Sequence, residues 1–136
     1  MKVRLLILFF LSSLVGTSLY AQYTWQFAYG GTQTETAGGL AEVSPGMYAI
    51  GGTTESFTPN SIQNMMMMVN DSGVIQWARH SGGNNDDELF GVDALNGEIY
   101  AVGYTDDASP AFLAGTIQKY DASGNLLYSN IAAISQ

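Results

Sequence analysis

The chain contains no cysteine. A small exported fold therefore has no disulfide framework to lean on, and thiolate catalysis is excluded. A metal site of the histidine and thiolate kind is excluded too, because the single histidine, His80, stands alone. Basic residues are nearly as scarce, with Lys2, Arg4, Arg79 and Lys119 set against twelve acids. Nucleic acid and anionic lipid surfaces are recognised by clustered Lys and Arg, so both are disfavoured as partners. Sustained apolar runs at helical spacing are missing beyond the first twenty residues, while Gly, Thr, Ser and Asn are frequent. That profile predicts strands joined by tight turns, an all-β protein.

What is present begins with a leader. Lys2 and Arg4 precede an apolar run from Leu5 to Leu11, and small residues follow up to Ala21. The pattern is that of a secretory signal, and the apolar stretch is shorter than the roughly 20 residues needed to span a bilayer. Cleavage after Ala21 is expected, which makes the mature chain secreted or periplasmic, with no membrane attachment. The leader holds two of the four basic residues and none of the twelve acids, so its removal takes the formal net charge from −8 to −10.

The rest is organised as a repeat. Trp25 and Trp77, the two tryptophans, stand 52 residues apart. The same offset brings Gly30 and Gly31 onto Gly82 and Gly83, Gly39 onto Gly91, Tyr48 onto Tyr100, Ala49 onto Ala101, Gly51 onto Gly103 and Thr53 onto Thr105. Further on, Ser72 meets Ser123 and Trp77 meets Tyr128 at an offset of 51, which is read as one residue lost in the loop between Thr105 and Ile117. Strands are expected at Ile75 to His80, Leu89 to Leu95, Glu98 to Thr105 and Phe112 to Tyr120, with Asn125 to Asn130 opening a third unit. Asn96-Gly97 is a two-residue hairpin signal, matched in the first copy by Ser44-Pro45-Gly46. The domain reading is a leader over 1–21, a first repeat over 22–76, and a second over 77–136 that includes the first strand of a third.

Trp77, Ser81-Gly82-Gly83, the acidic Asp86-Asp87-Glu88, Ile99-Tyr100-Ala101-Val102-Gly103-Tyr104-Thr105 and Lys119-Tyr120-Asp121 follow one another in order. The run resembles the bacterial β-propeller repeat of the SBBP type, and Trp25 to Trp77 resembles the same unit. Tyr48-Ala49-Ile50-Gly51-Gly52 followed by Trp77 is also similar to kelch repeats, the second-ranked resemblance. Either implies antiparallel four-stranded propeller blades. Propellers are built from roughly four to eight blades, so two leave apolar faces uncovered. Homo-oligomerisation into a ring, membership of a longer propeller of which this is a fragment, and an open two-sheet sandwich all remain open.

Candidate chemistry is thin. Asp86, Asp87 and Glu88 form the densest acidic cluster and are candidate calcium ligands, because oxygen donors suit that ion. Their spacing lacks a dedicated calcium-loop pattern, and a solvated loop is the preferred reading. Trp25 and Trp77 are candidate glycan-stacking residues, with packing between sheets preferred. Alternation along a strand splits Met65 to Met68 between two faces, which predicts core packing on both. No cofactor and no catalysis are expected. The functional expectation is a scaffold, adhesion or ligand-binding module that presents Glu55 to Gln63 and Asp106 to Ala111 to a protein or glycan. An oligomeric carbohydrate-binding protein and a fragment without independent function are the alternatives.

Overall fold

The structure, a computed structural model, describes residues 26–57, 61–106 and 113–132. Eight strands follow in order: β1 (Glu35–Ser44), β2 (Met47–Thr54), β3 (Gln63–Asn70), β4 (Ile75–Ser81), β5 (Asp87–Leu95), β6 (Glu98–Thr105), β7 (Ala114–Tyr120) and β8 (Leu126–Ala132). They form two four-stranded antiparallel meanders, β1-β2-β3-β4 and β5-β6-β7-β8. The all-β expectation holds, and neither sheet closes on itself.

Grouping of the strands differs from the repeat as read along the sequence. The Trp77 strand, expected at the head of the second unit, is the fourth strand of the first sheet, paired with β3. The strand expected to open a third unit, β8, instead completes the second sheet against β7. The physical break falls at Gly82–Asp86, where Gly82 has a φ of +148° that a side chain would resist. Each hydrogen-bonded unit is therefore out of phase by one strand with the Trp-to-Tyr period.

The offset also changes at a different place. In the first sheet Glu35 pairs with Thr54, and in the second Asp87 pairs with Thr105. Thr105 is thus the counterpart of Thr54, 51 residues earlier, rather than of Thr53. The slip sits at Val43, where the β1–β2 register jumps between Glu42 and Ser44, while β5–β6 continues unbroken to its hairpin. Turn chemistry explains the difference. Asn96 and Gly97 both take positive φ, 54° and 80°, as a type I′ turn requires. Pro45 is locked near −65° and cannot do so, leaving only Gly46 at +76°. The first hairpin takes up its different turn with one extra residue in β1. From Tyr48 onward every pairing among β2, β3 and β4 recurs 51 residues later, and no loop residue is lost between Thr105 and Ile117.

This register decides how the sheets stack. The face of the first sheet that meets the second carries Ala49, Met66 and Met68, which join Leu89, Ile99, Ala101 and Tyr120 in one buried cluster with Trp77 and Val92 at its margin. The counterparts of Ala49, Met66 and Met68 are Tyr100, Ile117 and Lys119, and these lie on the far side of the second sheet. The opposite face of the first sheet carries Met65, Met67 and Val69 under Tyr29, Tyr48 and Ile50. The four methionines therefore do pack on both faces. The two sheets are stacked head to tail, each presenting a back face and a front face that are chemically different. Gly38 and Gly39 allow close approach here, since a Cβ on Gly38 would lie 2.2 Å from the Leu89 carbonyl oxygen and one on Gly39 2.5 Å from the Val92 nitrogen.

Candidate functional site

The two ends of the stack differ. One end is closed by the hairpins 44–47 and 95–98 and by two turns of identical construction. Asn70 Oδ1 accepts from the backbone N–H groups of Ser72 (3.0 Å) and Val74 (2.9 Å). Asp121 Oδ1 accepts from Ser123 and Asn125, both at 2.9 Å. The side-chain amide of Asn125, at 2.8 Å, and these backbone donors hold the Asp121 carboxyl below its usual range.

The other end gathers the strand ends at Thr54, Gln63, Ser81, Asp87, Thr105 and Ala114, with the described residues of their connections. It is tied together across the sheets. Ile62 N–H donates to Asp86 Oδ1 at 2.9 Å, Asp87 N–H to the Ile62 carbonyl at 2.9 Å, and Asp106 N–H to the Asp86 carbonyl at 3.1 Å. Phe57 stands here, more than half exposed, stacked on His80 with ring centres 4.3 Å apart. Sequence reading marks the loop but misses this pair, because residues 23 positions apart give no local signal.

Asp86, Asp87 and Glu88 are adjacent in sequence but turned to different tasks. Asp86 holds the loop of the first sheet at Ile62, as above. Asp87 is buried and its Oδ2 accepts from Gly83 N–H at 2.9 Å. Glu88 points to the opposite face, where its Oε1 accepts the Tyr104 hydroxyl at 2.9 Å. Burial and that carboxylate push the Tyr104 phenol up to about 12. Among the described residues, no three His, Cys, Asp or Glu side chains are grouped so as to hold a metal ion. The melting temperature is expected to be the same in excess chelator as in added calcium; a fall with chelator would restore the three acids as ligands.

The Asp87 arrangement repeats at Glu35. Its Oε2 accepts from Gly31 N–H at 3.0 Å, and its Oε1 from the hydroxyls of Thr54 (2.9 Å) and Ser56. Gly31 and Gly83 are counterparts, as are Glu35 and Asp87, so one carboxylate per unit fastens the glycine bend that enters each sheet. The Ser56 hydroxyl, with the Gly31 amide and Thr54 behind it, holds the Glu35 carboxyl below the usual carboxylate range. The folded state then favours the ionised form. Its contribution to stability is complete above about pH 4.5 and is lost as pH falls through the lower folded value. Urea melts between pH 3 and 7 should show a shallower acid-side decline for Glu35→Gln than for the unaltered chain.

Trp77 is half-buried. Its Nε1 donates to the Ala122 carbonyl at 2.9 Å, and its ring lies so close over Gly124 that a Cβ there would be 2.7 Å away. The Arg79 guanidinium carbon sits 5.9 Å from the ring centre. Trp77 thus links the outer strand of the first sheet to a turn of the second. Trp25, its partner in the sequence repeat, lies outside the described residues. A related contact exists at the first sheet, where Phe27 lies over Gly73 and the Tyr29 hydroxyl donates to the Gly73 carbonyl at 2.6 Å.

Neither a family model nor a curated protein matches this chain. Its reading therefore rests on the repeated geometry: a carboxylate fastening each entry bend, an Asx turn at each closed end, and an aromatic ring seated on the glycine of that turn.

Proposed function

We propose that this chain is an exported, non-enzymatic propeller-repeat module that binds a protein or glycan through its loop end. One observation carries the reading: the strand ends that bear the longer connections lie together at one end, cross-bonded between the sheets through Asp86, while tight turns close the other. Such an arrangement is what a binding scaffold provides, variable loops on a rigid frame. The head-to-tail stacking of two like sheets supports propeller blades as the units, since a blade covers its neighbour with unlike faces. The acids serve as structural fasteners at Glu35 and Asp87, which favours binding over acid–base chemistry.

Within the loop end, Phe57 on His80 is the contact residue of choice. An exposed, stacked aromatic supplies apolar area at little entropic cost. Glycan-array screening followed by titration of the positive glycans is the direct test. Binding is expected to weaken by at least about tenfold in Phe57→Ala, the effect of a ring worth about 1.4 kcal/mol or more. It should be unaffected by Leu95→Ser at the closed end. Equal binding by Phe57→Ala, or loss with the closed-end variant, would place the contact elsewhere.

A further inference from the structure

Two tyrosines of β6 on the far face of the second sheet carry a like arrangement, and at one of them the chain itself supplies a cation. The Tyr100 hydroxyl donates to Glu98 Oε2 at 2.9 Å. Lys119, the cross-strand neighbour of Tyr100 on β7, places its ammonium 2.8 Å from the same carboxylate oxygen and 5.5 Å from the Tyr100 ring centre. Ring and carboxylate together hold one alkylammonium group. Further along β6 the Tyr104 hydroxyl donates to Glu88 Oε1, again at 2.9 Å. Its neighbour on β7 is Gly115, which has no side chain to offer, and no described residue other than the chain neighbours of Gly115 has an atom within 4 Å of a Cβ placed there.

The surroundings of Tyr104 suit a cation. Phe90 tilts against it at 41° with ring centres 5.5 Å apart, so two rings stand beside the carboxylate. Burial and the carboxylates of Glu88, Asp86 and Asp106 all keep the phenol in its protonated, donating form. The basic side chains of the described residues are engaged elsewhere: Lys119 on Glu98, and Arg79 beside Trp77 with its Nη1 on the Ala78 carbonyl. The described acids lack the grouping that a metal ion needs, whereas an organic cation needs one carboxylate and aromatic walls.

This face is a surface by virtue of its own residues. In the first sheet, Gly38 and Gly51 leave the room into which Leu89 and Val92 of β5 pack, and Met68 is buried in the same cluster. The second sheet has Phe90 where Gly38 stands, as the extra residue of the same bulge, Val102 where Gly51 stands and Lys119 where Met68 stands. Room is replaced by bulk, and a core position by a charge. Another inner strand cannot seat here as β5 seats on the first sheet, and covering Lys119 and Glu98 would bury an ion pair. Phe90 is 54% exposed.

We propose that Glu88, Tyr104 and Phe90 bind a primary alkylammonium group of a ligand in the space beside Gly115. The Glu88 carboxylate bonds the ammonium, and the rings replace part of its water. A formal net charge of −8 draws cations toward the chain, so binding weakens as salt is raised. A peptide lysine and a small free amine share this chemistry. The site is separate from the Phe57 contact and does not rest on it.

Nuclear magnetic resonance titrations of the isotope-labelled chain, following the amides of Glu88, Phe90, Tyr104 and Gly115, test the proposal. The probes are butylamine, tetralysine and tetralysine acetylated on every side-chain amine. Saturable shifts are expected with the first two and none with the third. Tighter binding per ammonium by tetralysine would make a peptide the source, and tighter binding by butylamine a small amine. Glu88→Gln should weaken binding at least about tenfold. Gly115→Lys, which supplies a cation from the place that Lys119 holds at Tyr100, should abolish the shifts. Asp71→Asn removes an equal charge at the closed end and should change the affinity by less than about threefold. Far-ultraviolet dichroism establishes that each variant is folded, and if Glu88→Gln is not, Gly115→Lys decides alone. Absence of saturable shifts with both amines, equal shifts with the acetylated peptide, unaltered binding by Gly115→Lys, or equal losses in Asp71→Asn and Glu88→Gln would overturn the proposal.

Discussion

Gly103→Ala is expected to lower the stability of the chain by at least about 3 kcal/mol, the upper end of what overpacking costs. A Cβ at Gly103 would lie 1.7 Å from the Glu88 carbonyl oxygen, an atom of the neighbouring strand's backbone. A side chain can rotate aside, but a paired strand cannot without losing its ladder. The same clash arises at the counterpart, where a Cβ on Gly52 would be 1.9 Å from the Thr36 carbonyl oxygen. Two independent copies thus require glycine for one reason. Gly115→Ala is the control: on β7, no described residue other than its chain neighbours has an atom within 4 Å of the added methyl. It should shift stability by no more than about 0.5 kcal/mol, as surface changes do. Thermal melts of the three variants check this, with a drop on the order of 10 °C for Gly103→Ala and Gly52→Ala. A Gly103→Ala chain that melted like the control would mean the β5–β6 approach is wrong.

Those two glycines also show where the sequence was legible and where it misled. The repeat, the strands and the turns were readable because turn chemistry and alternation are local. The pairing Gly51 with Gly103 and Thr53 with Thr105 looked sound, since each pair is identical in residue type. The true counterparts, Gly52 with Gly103 and Thr54 with Thr105, are identical as well. A run of doubled residues, Gly51-Gly52-Thr53-Thr54, hides a one-residue slip, and only cross-strand pairing to Glu35 and Asp87 resolves it. A slip of one residue in a strand exchanges its faces. Read at 52, Ala49 and Ala101 would share a face and the sheets would meet like to like. At 51 they meet front to back. The loop-end pairing of Phe57 with His80, the tie from Asp86 to Ile62 and the grouping of β4 with the first sheet were not readable, because each depends on which strands are neighbours.

Leu89→Ala is expected to cost about 3–4 kcal/mol, within the range for a fully buried leucine. Leu89 is 1% exposed and joins Ala49, Met66 and Met68 of the first sheet to Ile99, Ala101 and Tyr120 of the second. Its strand, β5, lies against β1, β2 and β3, so the residue belongs to both sheets at once. Leu89→Met, nearly equal in volume, should cost less than about 1.5 kcal/mol. The size of the loss is only half of the expectation. A unit of a repeat protein is stabilised largely by its interface with the next, and neither sheet here has a buried core of its own on the side that meets the other. Unfolding of the unaltered chain should therefore be a single transition, with tryptophan fluorescence and far-ultraviolet dichroism superimposing in urea. Leu89→Ala should move both curves together to lower denaturant. If the variant instead split the two curves, the sheets would be independent folding units, and the head-to-tail interface would not be what holds them together.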